Sequence, residues 1–158
     1  MSRLRTQGTV LAFGLLLLVC PALSAAADDD TVIKALDGDA LKELLEEEGF
    51  KGITVDKPDK DVHIVAMKFD GKRAVVICNL NSGDITGRFA IAGTNANQRK
   101  INQWNESKKF FKAHLDKDGD PVFEHILVLK YGVTRKTVKE HISLMDPGIK
   151  AFIKEVCD

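Results

Sequence analysis

Carboxylates at alternating positions are the first feature of this 158-residue sequence that could do chemistry. In Asp116-Lys117-Asp118-Gly119-Asp120 they stand where a calcium loop begins, because a hard cation takes several oxygens from one tight turn. The rest of such a loop is missing. Its sixth position is Pro121, where the sharp turn wants glycine, and its twelfth is Leu127, where a bidentate Glu is needed. The stretch therefore predicts a hairpin turn chosen for Asp-Gly geometry. The histidines His63, His114, His125 and His141 are never three or four residues apart, and no Cys or Glu joins them at a zinc spacing. No G-x-S-x-G elbow and no G-x-x-x-x-G-K-[ST] loop occurs. Catalytic, cofactor-binding and metal-binding residues are all expected to be none.

Two further groups invite a reading. Residues 98–111 interleave Arg99, Lys100, Lys108 and Lys109 with Trp104, Phe110 and Phe111, as single-stranded nucleic-acid surfaces do. Against this, Trp104 stands three residues after Ile101, which is core spacing on a helix, and 23 basic groups face 23 acidic ones. No nucleic-acid partner is expected. The cysteines bring in the N-terminus. Arg3 and Arg5 precede the apolar run 9–19, Pro21 breaks it, and Ala22-Leu23-Ser24-Ala25-Ala26-Ala27 offers small residues for cleavage. Residues 1–27 read as a secretory signal peptide, cut after Ala27 or Ala26, with a membrane anchor only if it stays uncleaved. Cys20 makes a poor lipoprotein box, with Val19 before it and Pro21 after it. Removing the segment leaves 131 residues with 21 basic and 23 acidic side chains, and Cys78 and Cys157 as the only cysteines. In an oxidising periplasmic or extracellular compartment these either pair or stay as two thiols. A bridge would close a loop of about 80 residues, worth roughly 4–5 kcal/mol in the chain-entropy picture.

The elements that must position these residues follow from periodicity. Residues 28–38 read as a leader in which Val32, Ile33 and Leu36 start a helical period. Asp39 is the expected N-cap of a helix burying Leu41, Leu44 and Leu45, with Glu46-Glu47-Glu48 as a fraying, solvated end before Gly49. The period then switches to two. Strands are expected at 53–55, 62–69, 73–80 and 85–92, with turns at Pro58-Asp59-Lys60-Asp61, Asp70-Gly71 and Asn81-Ser82-Gly83-Asp84, giving an antiparallel meander. Thr94 is the expected cap of a helix reaching Ser107, followed by a strand from Lys109 and another at 122–129. A two-residue loop at Asp118-Gly119 would set Leu115 opposite Val122 and His114 opposite Phe123. Thr134 caps the last helical segment. Its Val138, Ile142, Met145, Ile149, Phe152 and Val156 keep one phase through Pro147-Gly148, predicting two packed pieces or one kinked helix, with Asp146 capping the second. The class is α+β, an antiparallel sheet flanked by helices.

Several of these residues carry a resemblance. Asn102-Gln103-Trp104-Asn105, then Lys109-Phe110, then 113–120 with its acidic turn, then Val122 and Glu124, resemble the YbjN-domain family over 39–156. The resemblance implies a fold like the type III secretion chaperones and a bacterial sensory-transduction regulator. It implies no catalytic residue: Trp104, Asn105, Asp116, Asp118, Gly119 and Asp120 carry over as structural signature positions. Two features depart from the family pattern, namely the signal peptide and the uninterrupted apolar run His125-Ile126-Leu127-Val128-Leu129. That run implies burial on both faces or an interface. The expectation is a non-enzymatic exported module that binds a protein partner, itself included as a homodimer. The alternative is a periplasmic small-molecule or metal-sensing domain.

Overall fold

The computed structural model describes residues 29–158. The signal segment, its cleavage sites after Ala26 and Ala27, and Cys20 lie outside the described residues. Alternating apolar residues build a six-stranded antiparallel sheet from β2 (Thr54–Asp59), β3 (Val62–Phe69), β4 (Lys72–Asn79), β5 (Asp84–Ala90), β6 (Lys112–Leu115) and β7 (Pro121–Val128). Their order is β2-β3-β4-β5-β7-β6. The first four form the expected meander. The β3–β4 hairpin turns on Asp70 (φ 48°) and Gly71 (φ 76°), the two positive φ values that a type I′ turn requires, so Phe69 faces Lys72. After β5 the chain crosses through a helix, lays β6 at the edge, and returns as β7 between β5 and β6.

The helices are α1 (Gly38–Glu47), α2 (Gln98–Ser107), α3 (Arg135–Ser143) and α4 (Met145–Phe152), with a π-helical turn over Ile153–Cys157. All deliver apolar side chains to one face of the sheet. Leu41, Leu44 and Leu45 of α1, Ile101 and Trp104 of α2, Val138 and Ile142 of α3, and Met145, Ile149 and Phe152 of α4 share a core with Val65, Val76, Ile85 and Phe123. Trp104 sits at the centre of an aromatic cluster, with ring centroids 5.3 Å from Phe152 and 6.3 Å from both Phe111 and Phe123.

Several expectations shift. The leader is no helix: β1 (Val32–Ile33) pairs antiparallel with β8 (Val133–Thr134), and Thr31 and Asp29 carbonyls accept from the Arg135 and Lys136 N–H groups. The cap of α1 is Asp37, whose Oδ1 accepts from the Ala40 N–H at 2.9 Å, and not Asp39. The cause is tertiary. The Gly38 N–H donates to His63 Nδ1 at 3.0 Å, and a Cβ at Gly38 would stand 2.7 Å from Val55 Cγ1, so the helix begins where its backbone can touch the sheet. Its acidic end does not fray freely, because Glu47 pairs with Arg135 and Glu48 with Lys139. Pro58 and Asp59 end β2 and are not a separate turn. Asn97 and not Thr94 caps α2, accepting from the Lys100 N–H at 3.1 Å. The strand after α2 starts at Lys112, not near Lys109. Thr134 caps α3 as expected, but α4 opens at Met145 with no side-chain cap, so Asp146 lies inside its first turn.

Candidate interaction face

The helices use one side of the sheet; its other side is uncovered among the described residues. Directly paired residues share a face, so the register writes out the open side in rows. The central row runs Asp56, Ile64, Ile77, Thr86, Ile126 across β2, β3, β4, β5 and β7. On one flank lie Ala66, Val75, Arg88, Glu124 and Lys112, then Lys68 and Arg73; on the other lie Val62, Asn79, Asp84 and Val128. Ile126 is 48% and Val128 50% exposed, and Ile64, Val75 and Ile77 are half-buried. Burial of the 126–129 run on both faces does not occur. Leu129 is in the core, whereas Ile126 and Val128 face outward.

The polar groups on this face are arranged and partnered. Asp84 accepts from Asn79 Nδ2 at 2.8 Å and from Thr86 Oγ1 at 3.3 Å, and it also receives the Ser82 hydroxyl. Arg88 and Lys112 flank Glu124 from the two neighbouring strands, where opposite charges stabilise a pair. At the sheet edge His114 Nδ1 lies 3.9 Å from Glu124 Oε2. Beside it a cleft of about 450 Å³ is lined by Asn105, Lys108, Lys109, Lys112, His114 and Glu124.

The signature residues lie on the covered side and at the edge. Trp104 is buried, with Lys108 Nζ 5.0 Å from its ring centroid. Asn105 makes two bonds to the edge strand: Nδ2 donates to the Ala113 carbonyl at 3.0 Å, and Oδ1 accepts from the Ala113 N–H at 2.8 Å. An unpaired strand edge is thereby tied to the end of α2. Asp116 Oδ1 accepts from the Asp118 and Asp120 N–H groups, both at 2.9 Å, and the Asp116 N–H donates to the Asp120 carbonyl. The turn is thus longer than two residues, Gly119 takes φ 84°, and the pairing shifts by one: His114 faces Val122 and Leu115 faces Pro121. Asp116 spends one oxygen on the turn's own backbone. Among the described residues no three His, Cys, Asp or Glu side chains converge on a metal-binding group.

Cys78 and Cys157 are unbonded and buried. Burial pushes the Cys78 thiol up to about 12, assisted by Asp37 and Asp84, and the Cys157 thiol up to about 11, assisted by Asp158. His63 is held by the Gly38 N–H. His125 of β7 and His141 of α3, which nothing in the sequence connects, stack with ring centroids 3.8 Å apart and an interplanar angle of 24°. His125 Nδ1 and His141 Nε2 are buried without a hydrogen-bond partner. Burial lowers the pKa of both, and for His141, helped by repulsion from His125, it falls to about 3.

The open face had a sequence signal that the alternation reading passed over. Residues 62–67 and 74–78 are nearly continuous apolar runs, and a strand apolar on both faces needs a cover on both. The stacked histidines had none.

The model of the YbjN family, described as "Putative bacterial sensory transduction regulator", matches residues 37–157. No curated protein and no solved structure matches the chain.

Proposed function

The chain belongs to the YbjN family, and from that premise we propose that it is a regulatory module that works by binding another protein through the open face of its sheet, with no catalytic step. One observation carries the reading: Ile64, Ile77 and Ile126 align across three strands on a side that no helix covers. The family description, that of a sensory transduction regulator, agrees with it. The chaperone-like fold implied by the resemblance fits the same role. The basic n-region, apolar run and small-residue site of residues 1–27 support action in the periplasm or outside the cell. Among the described residues no helix is long and apolar enough to cross a membrane.

The test is affinity capture from envelope extract with the chain and with its Ile126→Lys variant, read by mass spectrometry. A protein retained by the first and lost by the second supports the proposal. Equal recovery on both overturns it. The second reading, a small-ligand sensor, is favoured by the cleft beside α2. Its Lys108, Lys109, Lys112 and His114 suit an anion. A melting temperature unmoved by phosphate, sulfate and dicarboxylates would dismiss it, and a shift lost in Lys109→Ala/Lys112→Ala would favour it.

A further inference from the structure

We propose that the opening where β4 and β5 part from one another is a binding site for a phosphate group, held between Arg73 and Arg88 and belonging to a small ligand, inorganic phosphate or diphosphate. The site opens on the same uncovered face of the sheet but needs no protein on the row of isoleucines, so it stands or falls apart from the docking role.

The strand ladder leaves this opening. β4 runs over Lys72–Asn79 and β5 over Asp84–Ala90, yet their pairing ends at Val75 with Arg88. The same register continued would set Ala74 opposite Phe89 and Arg73 opposite Ala90. Both strands keep their outer partners there: Arg73 faces Lys68 on β3, and Ala90 faces Val122 on β7. They separate only from each other. A cleft of about 290 Å³ lies between them, lined by Arg73, Ala74, Val75, Arg88, Phe89 and Ala90, with the buried Ala74 and Phe89 on its core side. Successive residues of an antiparallel strand turn their N–H groups to alternate sides. One N–H from 73–74 and one from 89–90 therefore point into the cleft without a ladder partner.

Charge decides what fills the cleft. Arg73 and Arg88 flank it, and Lys68 stands directly opposite Arg73, a like-charge cross-strand pair that an anion between them would relieve. Among the described residues no carboxylate comes within ion-pairing distance of any of the three. The acids nearest in register lie to the side or further off. Glu124 faces Arg88 from β7, the side away from the cleft, and its ion contact is His114 at 3.9 Å. Asp70, at the hairpin tip, acts on Lys150. Asp84 stands four residues from Arg88 along β5, and the row of Asp56 crosses β4 at Ile77, four residues from Arg73. Two guanidinium forks and two backbone N–H groups match the several oxygens of a phosphate, whereas a carboxylate fills a single fork. The volume falls below the roughly 300–1,000 Å³ of pockets for drug-sized ligands, which limits the ligand to a small one.

The experiment is calorimetric titration of the chain, as processed by its expressing cells, with diphosphate, orthophosphate and succinate in a low-salt chloride buffer. The expected result is micromolar binding of diphosphate, weaker binding of orthophosphate, and succinate weaker than either. Arg73→Ala and Arg88→Ala should each weaken diphosphate by about tenfold or more, the usual effect of losing a charge-assisted hydrogen bond. Arg88→Lys keeps the charge and loses the fork, and should also weaken it by about tenfold. Lys109→Ala/Lys112→Ala, in the cleft beside α2, should bind as wild type does. Arg73 is exposed, so its variant keeps the fold, which melting without ligand verifies. No diphosphate binding at roughly 1 mM overturns the proposal, and so does equal affinity in wild type, Arg73→Ala and Arg88→Ala. An Arg88→Lys variant that binds as wild type would mean diffuse charge in place of a site, and loss confined to Lys109→Ala/Lys112→Ala would move the anion to the cleft beside α2; either overturns it as well. Capture of a protein through Ile126 is a separate readout. Failure of the titration leaves the docking role standing, and capture unchanged by Ile126→Lys leaves the phosphate site standing.

Discussion

Mild acid should loosen this domain through its two stacked histidines. His141 is 5% exposed, packs 3.8 Å from His125, and has no partner for its Nε2. Its pKa in the folded chain is about 3, against 6.5 for a free histidine. The fold therefore accepts only the neutral ring, whereas the unfolded chain takes up a proton below about pH 6.5. The stability tied to neutrality is complete above that value and is lost progressively as the pH falls toward 3. At 1.36 kcal/mol per unit, the loss from His141 alone reaches about 2 kcal/mol at about pH 5. His125, also shifted down by burial, acts in the same direction. The carboxylates with lowered values, Asp29 and Asp39, matter only below 3.8, so the window between about pH 5 and 6.5 belongs to the histidines. Urea denaturation followed by the fluorescence of Trp104, at about pH 7.5 and about pH 5, measures the loss. His141→Phe keeps a ring of similar shape and removes the titration, and should recover about 2 kcal/mol of the fall. A wild type that loses less than about 0.5 kcal/mol over this range, or a variant that loses as much as wild type, would refute the reasoning.

Three further outcomes are expected. Gly38→Ala should destabilise by about 1–2 kcal/mol, although alanine is the better helix former, because its Cβ would meet His63 Cβ at 2.9 Å; an increase in melting temperature would count against that packing. Asn105→Ala should cost roughly 1–3 kcal/mol by stripping both bonds from Ala113, and hydrogen exchange at the Ala113 amide should rise more than elsewhere in the sheet. In the chain freed of residues 1–27, Cys78 and Cys157 should be silent toward a thiol reagent when native and both reactive in denaturant; no reactive thiol in denaturant would mean that they pair.

What could be read from the sequence was what local chemistry decides. Asp70-Gly71 fixes its own turn type, Thr134 caps the helix it precedes, and Val138, Ile142, Met145, Ile149, Phe152 and Val156 are all buried because their spacing keeps one phase through Pro147. What could not be read depends on distant partners. Asp37 and Asp39 are equivalent caps until His63 takes the Gly38 N–H. Val32 and Ile33 have a helical period and become a strand because Val133 and Thr134 lie alongside. The insertion of β7 beside β5 is a matter of sheet order, which hairpin signals between neighbours cannot carry. His125 and His141 meet only because β7 and α3 pack together.

The family signature and the proposed function are therefore separable in the molecule. Trp104 and Asn105 close the aromatic core and bind the β6 edge; Asp116 closes its own turn. They account for how this fold is built, and none of them reaches the row Ile64, Ile77, Thr86, Ile126. Substitution on the two sides should dissociate cleanly. Asn105→Ala lowers the denaturation midpoint, and association at a fixed fraction folded stays at the wild-type value. Ile77→Lys leaves the midpoint near wild type, since its side chain is only partly buried and lies on the side no helix covers, and removes association. The opposite pattern, with Asn105→Ala abolishing association while the fold stays intact, would move the binding surface to the Asn105 edge and its lysine-lined cleft.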